Sequence, residues 1–255
     1  MDNYIIWFVF LIGTVVGSFL NVVGLRSPQQ LSFTTSRSEC PYCLKTLQWK
    51  DIIPILSFTL LKGKCRYCGV RISSLYPIME IITGMLFVYC YIIIGIQFEL
   101  FLALALVSMF VIVLVSDITY MIIPNKVLLF FLPIFVVFRI IDPLTPWWDT
   151  ITGGVAGILI PMSIIIVSKG GMGGGDMKLF GLIGIVLGFK KLCFCFFLSC
   201  VIAAIIGIFL IALKLGRRNQ PIPFAPYIIA ASLITYFYGD SLILWYSNFY
   251  HIPFN

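Results

Sequence analysis

Charge is scarce in this sequence. Only 11% of the 255 residues are Asp, Glu, Lys or Arg, against 61% hydrophobic residues and a mean hydropathy of +1.08. Such a chain cannot cover a soluble globule with polar surface, whatever fold it takes. Other absences narrow the class further. The first apolar run follows only Asp2, with no basic region before it and no small-residue cleavage site after it. It reads as a permanent helix rather than a removable signal. No stretch interleaves aromatic and basic residues as a nucleic-acid-binding module does, so no nucleic-acid partner is expected. No strand–glycine–helix pattern marks a Rossmann-type cofactor site. Almost no charged residue lies between the two membrane faces, since Glu80 and Glu99 fall near segment ends. A transporter's polar path across the bilayer is therefore not visible.

What is present is a series of apolar runs, each near the roughly 20 residues needed to cross hydrocarbon. They predict an all-α polytopic membrane protein with eight helices, near 4–25, 76–95, 99–116, 126–141, 150–168, 178–189, 192–213 and 225–246. The segment 178–189 is the shortest, rising only about 18 Å as a helix. If all eight cross, the N-terminus lies outside. The inner face then collects Arg26, Arg37, Lys45, Lys50, Lys62, Lys64, Arg66, Arg71, Lys126, Lys169, Lys178, Lys214, Arg217 and Arg218, leaving Arg139, Lys190 and Lys191 outside. A re-entrant 178–189 would reverse Lys214, Arg217 and Arg218, so the positive-inside rule favours a short crossing. The net charge of +7 is thereby mostly topology. Three regions are expected: a first helix over 1–25, a cytosolic insert over 26–75 and a helical bundle over 76–255.

The insert carries Cys40, Cys43, Cys65 and Cys68 as two CxxC pairs. Each CxxC turn points two sulfurs at one metal, and two such turns supply a tetrahedron, which suits zinc. Disulfides are the other reading of this spacing, but they are rare in the reducing cytosol where topology puts the loop. With all four positions filled by cysteine, no coordination site is left open, so the zinc is expected to be structural. Cys90, Cys193, Cys195 and Cys200 lack paired spacing and read as packing residues.

Two of the ten acidic residues stand out. Asp117 closes the run FLALALVSMFVIVLVSD, with apolar residues following it. Asp176 ends GGMGGGD, at the start of the sixth segment. Topology places both at the cytosolic membrane edge, where an ionisable group is costly unless paired, hydrated or functional. Brought together, two carboxylates share a proton; one can activate water while the other protonates the scissile carbonyl, as in aspartic proteases. Gly173, Gly174 and Gly175 would then leave an extended substrate backbone unobstructed and free the chain to take unusual dihedrals. For Asp176 alone, an ordinary helix N-cap fits the spacing equally well.

These stretches resemble a known family. GGGD at 173–176 is similar to the GxGD signature of intramembrane aspartyl proteases, and DITYMIIPN at 117–125 to its counterpart in type IV prepilin peptidases. GSFLNVVGLRSP at 17–28, the double CxxC loop and YPIMEIITG at 76–84 resemble that family's first helix, zinc insert and return helix. The resemblance runs over nearly the whole chain. It implies an enzyme in the bacterial cytoplasmic (inner) membrane, with its active site facing the cytosol. Such an enzyme cuts the short basic leader from prepilins or pseudopilins and then methylates the new N-terminus from S-adenosylmethionine. Residue by residue it implies Asp117 and Asp176 as the catalytic dyad and the four cysteines as zinc ligands. Glu80 matches a glutamate of the return helix without gaining a role. The methyl donor rests on the resemblance alone, and no residue is assigned to it. A solute transporter and a non-catalytic zinc-loop scaffold are the competing classes, and neither predicts a cleaved leader.

Overall fold

The structure, a computed structural model, describes residues 3–31, 39–40, 42–213 and 223–250. Arg37, Lys214, Arg217 and Arg218, used in the charge argument, lie outside the described residues. Among the described residues all regular structure is helical apart from two isolated bridges. The helices are α1 (Asn3–Arg26), α2 (Leu56–Leu60), α3 (Leu75–Ile94), α4 (Phe98–Tyr120), α5 (Asn125–Ile141), α6 (Asp149–Val167), α7 (Gly174–Leu187), α8 (Phe189–Ala212) and α9 (Ala225–Tyr250). Each of the eight expected segments forms a helix. Six of them, α1, α3, α4, α6, α8 and α9, are long and apolar enough to cross a membrane. The chain is thus a multi-pass membrane protein. Helices suit that setting because they satisfy their backbone hydrogen bonds internally. With 17 and 14 residues, α5 and α7 are shorter.

The chain divides into two compact units, Met1–Tyr120 and Met121–Asn255. In the first, α1 runs antiparallel to α3 and parallel to α4. Asn21 Nδ2 donates to Tyr76 O at 3.1 Å near one end of the α1–α3 pair, and Gln29 Nε2 donates to the Tyr120 hydroxyl at 2.7 Å just beyond α1. A Cβ added at Gly13 would stand 2.8 Å from Gly84 Cα, so small residues set the α1–α3 approach. Packing of this kind joins helices in lipid, where apolar burial supplies little drive. Over their most apolar stretches α4 is 56% buried, against 28% for α1 and 39% for α3, which makes α4 the centre of this unit.

In the second unit the central helix is α7, with Leu179 to Gly184, Val186 and Leu187 all buried. It runs parallel to α5: Lys178 Nζ donates to Asn125 Oδ1 at 2.9 Å at one end, and Arg139 Nε and Nη2 donate to Val186 O at 3.0 and 2.7 Å at the other. The long Lys and Arg side chains make up the difference in helix length. On its other side α7 lies antiparallel to α6 at backbone contact: Cβ atoms added at Gly153 or Gly184 would fall on each other's carbonyls. Gly188, at φ 79, turns the chain directly from α7 into α8, and the Phe189 N–H donates to Asp149 Oδ1 at 3.0 Å. That left-handed conformation favours glycine. Finally, α8 and α9 run antiparallel, joined by Lys191 Nζ and Asp240 Oδ2 at 2.7 Å.

Candidate active site and metal centre

Both aspartates have helical backbone, each in a terminal turn of its helix. α4 continues to Tyr120, past the expected end at 116, so Asp117 sits in its last turn, buried at 5% exposure. α7 begins at Gly174, four residues earlier than expected, which places the half-buried Asp176 in its first turn. The N-cap is Gly173, not Asp176, which corrects the simple capping reading. A carboxylate three residues into a helix still gains from the dipole. Glycine's low helix propensity hides this early start, because tertiary contact overrides it. Gly175 packs on Ile123, whose Cβ would lie 3.0 Å from an added Cβ. Each aspartate therefore belongs to the central helix of its own unit.

The glycines do not take the unusual dihedrals expected of them. Gly173 is extended (φ −72, ψ 140) and Gly174 and Gly175 are helical; the left-handed turn falls earlier, at Lys169 (φ 53) and Gly170 (φ 97). Their lack of side chains matters differently at each position. A Cβ at Gly173 would crowd Asp176 Oδ2 at 3.0 Å, whereas one at Gly174 would meet open space. Gly173 thus leaves room for the carboxylate, and a side chain at Gly174 would meet no neighbour.

Cys40, Cys43, Cys65 and Cys68 come together, their sulfurs all within 4.8 Å of one another. Sulfurs at the corners of a tetrahedron, each about 2.3 Å from a central ion, lie about 3.8 Å apart. Cys40 Sγ and Cys68 Sγ are 3.8 Å apart, so the donor set fits one metal ion. The two turns are built alike. Leu44 N donates to Cys40 O at 2.9 Å and Gly69 N to Cys65 O at 2.9 Å, with Leu44 (φ 55) and Gly69 (φ 72) both left-handed. The backbone N–H groups of Cys43 and Tyr42 hold the Cys40 thiol down at about 6. Cys68 is pushed up to about 11: the Val70 N–H favours its thiolate, but loss of solvent and the neighbouring thiols outweigh it. Thiols this close cannot all ionise without a cation among them.

Two carboxylates secure the insert. Asp51 accepts from Arg66 Nε at 2.7 Å, Gln48 N at 3.1 Å and the Tyr67 hydroxyl at 3.3 Å, tying the turn Trp49–Asp51 to the second cysteine pair. Burial opposes ionisation of Asp51, yet these donors hold its carboxyl below the usual range. Glu80, buried in α3, accepts from the N–H of Ile55 at 2.8 Å. Ile55 is left-handed at φ 62, strained for a β-branched residue. Glu80 thus anchors a strained turn of the insert to α3. Its place as a carboxylate within an apolar helix is the sequence signal for such a partner.

Two family profiles match the chain: the bacterial peptidase A24 N-terminal domain over residues 11–94 and the type IV leader peptidase family over residues 104–208. The first stretch holds all four cysteines and Glu80, the second both aspartates. Among curated proteins, the prepilin leader peptidase/N-methyltransferase of Bacillus subtilis (strain 168) is 46% identical over 237 residues, 93% of this chain and 96% of that protein. The protein of that name from Aeromonas salmonicida is 32% identical over 93% of this chain and 92% of its own length. The one from Klebsiella pneumoniae is 33% identical over 72% of this chain and 86% of its own. No solved structure matches the chain.

Proposed function

The chain belongs to the type IV leader peptidase family, and on that premise we propose that it is a membrane aspartic endopeptidase. It removes the leader from prepilins or pseudopilins at the cytosolic face of the bacterial inner membrane and methylates the new N-terminus. Asp117 and Asp176 are the dyad. One carboxylate takes a proton from water as the oxygen attacks the scissile carbonyl carbon. The other, protonated, donates to the amide nitrogen as the C–N bond breaks. Gly173, Gly174 and Gly175 border the substrate's path, and Cys40, Cys43, Cys65 and Cys68 hold a structural zinc. S-adenosylmethionine supplies the methyl group for the exposed amine.

The observation that carries this reading is the placement of each aspartate on the central helix of its unit. Purified Asp117→Asn and Asp176→Asn proteins, mixed with a prepilin in lipid, test it. An amide can neither accept water's proton nor supply the shared one, so both should lose at least about 100-fold in cleavage rate. Near-wild-type cutting by either variant would remove that residue from the chemistry. A wild-type protein that cuts nothing would return the chain to the transporter or scaffold readings.

A further inference from the structure

α2, little more than one turn of helix within the cysteine insert, has two unlike faces. Leu56 and Leu60, four residues apart and so on one face, are 57% and 80% exposed. Ser57 and Phe58 are half-buried on the other side, and Phe58 covers Gly63, where an added Cβ would lie 3.0 Å from its ring. The start of α2 is fixed by the bond from the Ile55 N–H to Glu80 at 2.8 Å. Glu80 does not stand at the edge of the bundle. It follows Leu75 by five residues, about 7.5 Å into a helix whose 20 residues rise about 30 Å, the thickness of the hydrocarbon. Gly17 of α1, whose added Cβ would lie 3.2 Å from Glu80 Cα, is likewise nine residues short of the end of its helix at Arg26.

We propose that α2 is an interfacial helix, with Leu56 and Leu60 seated in the bilayer at the boundary between headgroups and acyl chains. This needs only that α1 and α3 cross the membrane, and it is independent of the peptidase reading. Depth selects lipid as the occupant. A side chain leans toward the N-terminus of its own helix, which brings the Glu80 carboxylate a few ångströms back toward the surface. Ile55 therefore lies at the boundary, neither in the centre of the hydrocarbon nor out in water. Phe19 of α1 and Ile78 of α3, exposed apolar side chains within two residues of Gly17 and Glu80, put lipid at this level of both helices. Charge agrees with that setting. Residues 56–75 carry Lys62, Lys64, Arg66 and Arg71 and no Asp or Glu, and the exposed Lys62 and Lys64 follow Leu60 closely enough to meet headgroup phosphates. Lipid on Leu56 and Leu60, with Glu80 on Ile55, then sets the height of the cysteine turns over the membrane.

A fluorescent amino acid placed at Leu60 of the full chain, in vesicles of phosphatidylethanolamine and phosphatidylglycerol, reads this depth. Lipids brominated near the glycerol end of their acyl chains should quench at least about half of its emission, and more than lipids brominated near the chain ends, as for a helix lying at the headgroup–acyl boundary. The same fluorophore at Leu44, similarly exposed but in the first cysteine turn, should keep its emission in both. Glu80→Met removes the acceptor for Ile55 and should weaken the quenching at position 60 at least about twofold, whereas Glu80→Gln keeps a carbonyl acceptor and should preserve it. Emission from position 60 that neither brominated lipid quenches overturns the proposal: unshifted, it places Leu60 in water, and blue-shifted, it places Leu60 against protein. Equal quenching at positions 44 and 60 overturns it too, because the insert would then rest on the bilayer without a depth set by Glu80.

Discussion

At the scale of single residues, position within a helix turn separates the roles of the carboxylates. Asp176 stands in the first turn of α7, where the helix dipole favours a negative charge by about 0.3–1 kcal/mol. Asp176→Asn should therefore cost at most about that much stability, far too little to explain a complete loss of cleavage. Asp51 acts through stability instead. Its folded carboxyl lies below the usual range, so its contribution is complete above the unfolded value of about 3.9 and is lost as pH falls through the folded one. Arg66 is 49% exposed, and solvent screening limits this pair to about 0.6 kcal/mol. Asp51→Asn should thus release metal to a chelator about threefold faster at pH 7, with the same ratio at pH 5. A ratio that vanishes already at pH 5 would mean that Asp51 is not ionised in the folded insert. The cysteines give a cruder test: Cys40→Ser with Cys65→Ser should strip the zinc while the helices stay inserted. Retention of a full complement on metal analysis would place the ligands elsewhere.

At the scale of elements, the short helix α7 owes its place to glycine. Gly153 and Gly157 on α6 and Gly181 and Gly184 on α7 let the two backbones touch, so a Cβ at position 184 cannot fit unless the helices part. Gly184→Ala is expected to destabilise the second unit by about 1–3 kcal/mol, the usual cost of overpacking. Gly207→Ala on α8, where an added Cβ meets nothing within 4 Å, should be neutral or slightly stabilising. Thermal unfolding in detergent distinguishes them, and equal melting of Gly184→Ala and wild type would refute the contact. The eight apolar segments were legible because apolar runs announce themselves by composition, six of them also by length. Their ends were not. Asp117 and Asp176 are polar and the residues before Asp176 are glycine, so propensity stops a helix where tertiary packing continues it. The cysteine cluster was legible because paired spacing fixes its geometry locally. The bond from Ile55 to Glu80 depends on residues distant in sequence, and no local pattern encodes it.

At the scale of the whole molecule, the remaining question is whether α7 crosses the membrane. Its 14 residues rise about 21 Å, short of a hydrocarbon core of about 30 Å. Within its unit, however, α7 reaches both ends of the parallel helix α5, through Lys178 to Asn125 and through Arg139 to Val186. Its body is buried among neighbouring helices rather than exposed to lipid, so it need not match the bilayer's thickness. We therefore expect a full crossing, with α8 beginning on the side opposite the start of α7. Reporter fusions at residues 60, 120, 172 and 216 should read as cytosolic, and fusions at 97, 145 and 190 as external. The fusion at 216 decides the point. A re-entrant α7 would return the chain to the cytosol before α8 and place Lys214, Arg217 and Arg218 outside, against the positive-inside rule. An external reporter at 216 together with a cytosolic one at 190 would establish the re-entrant path.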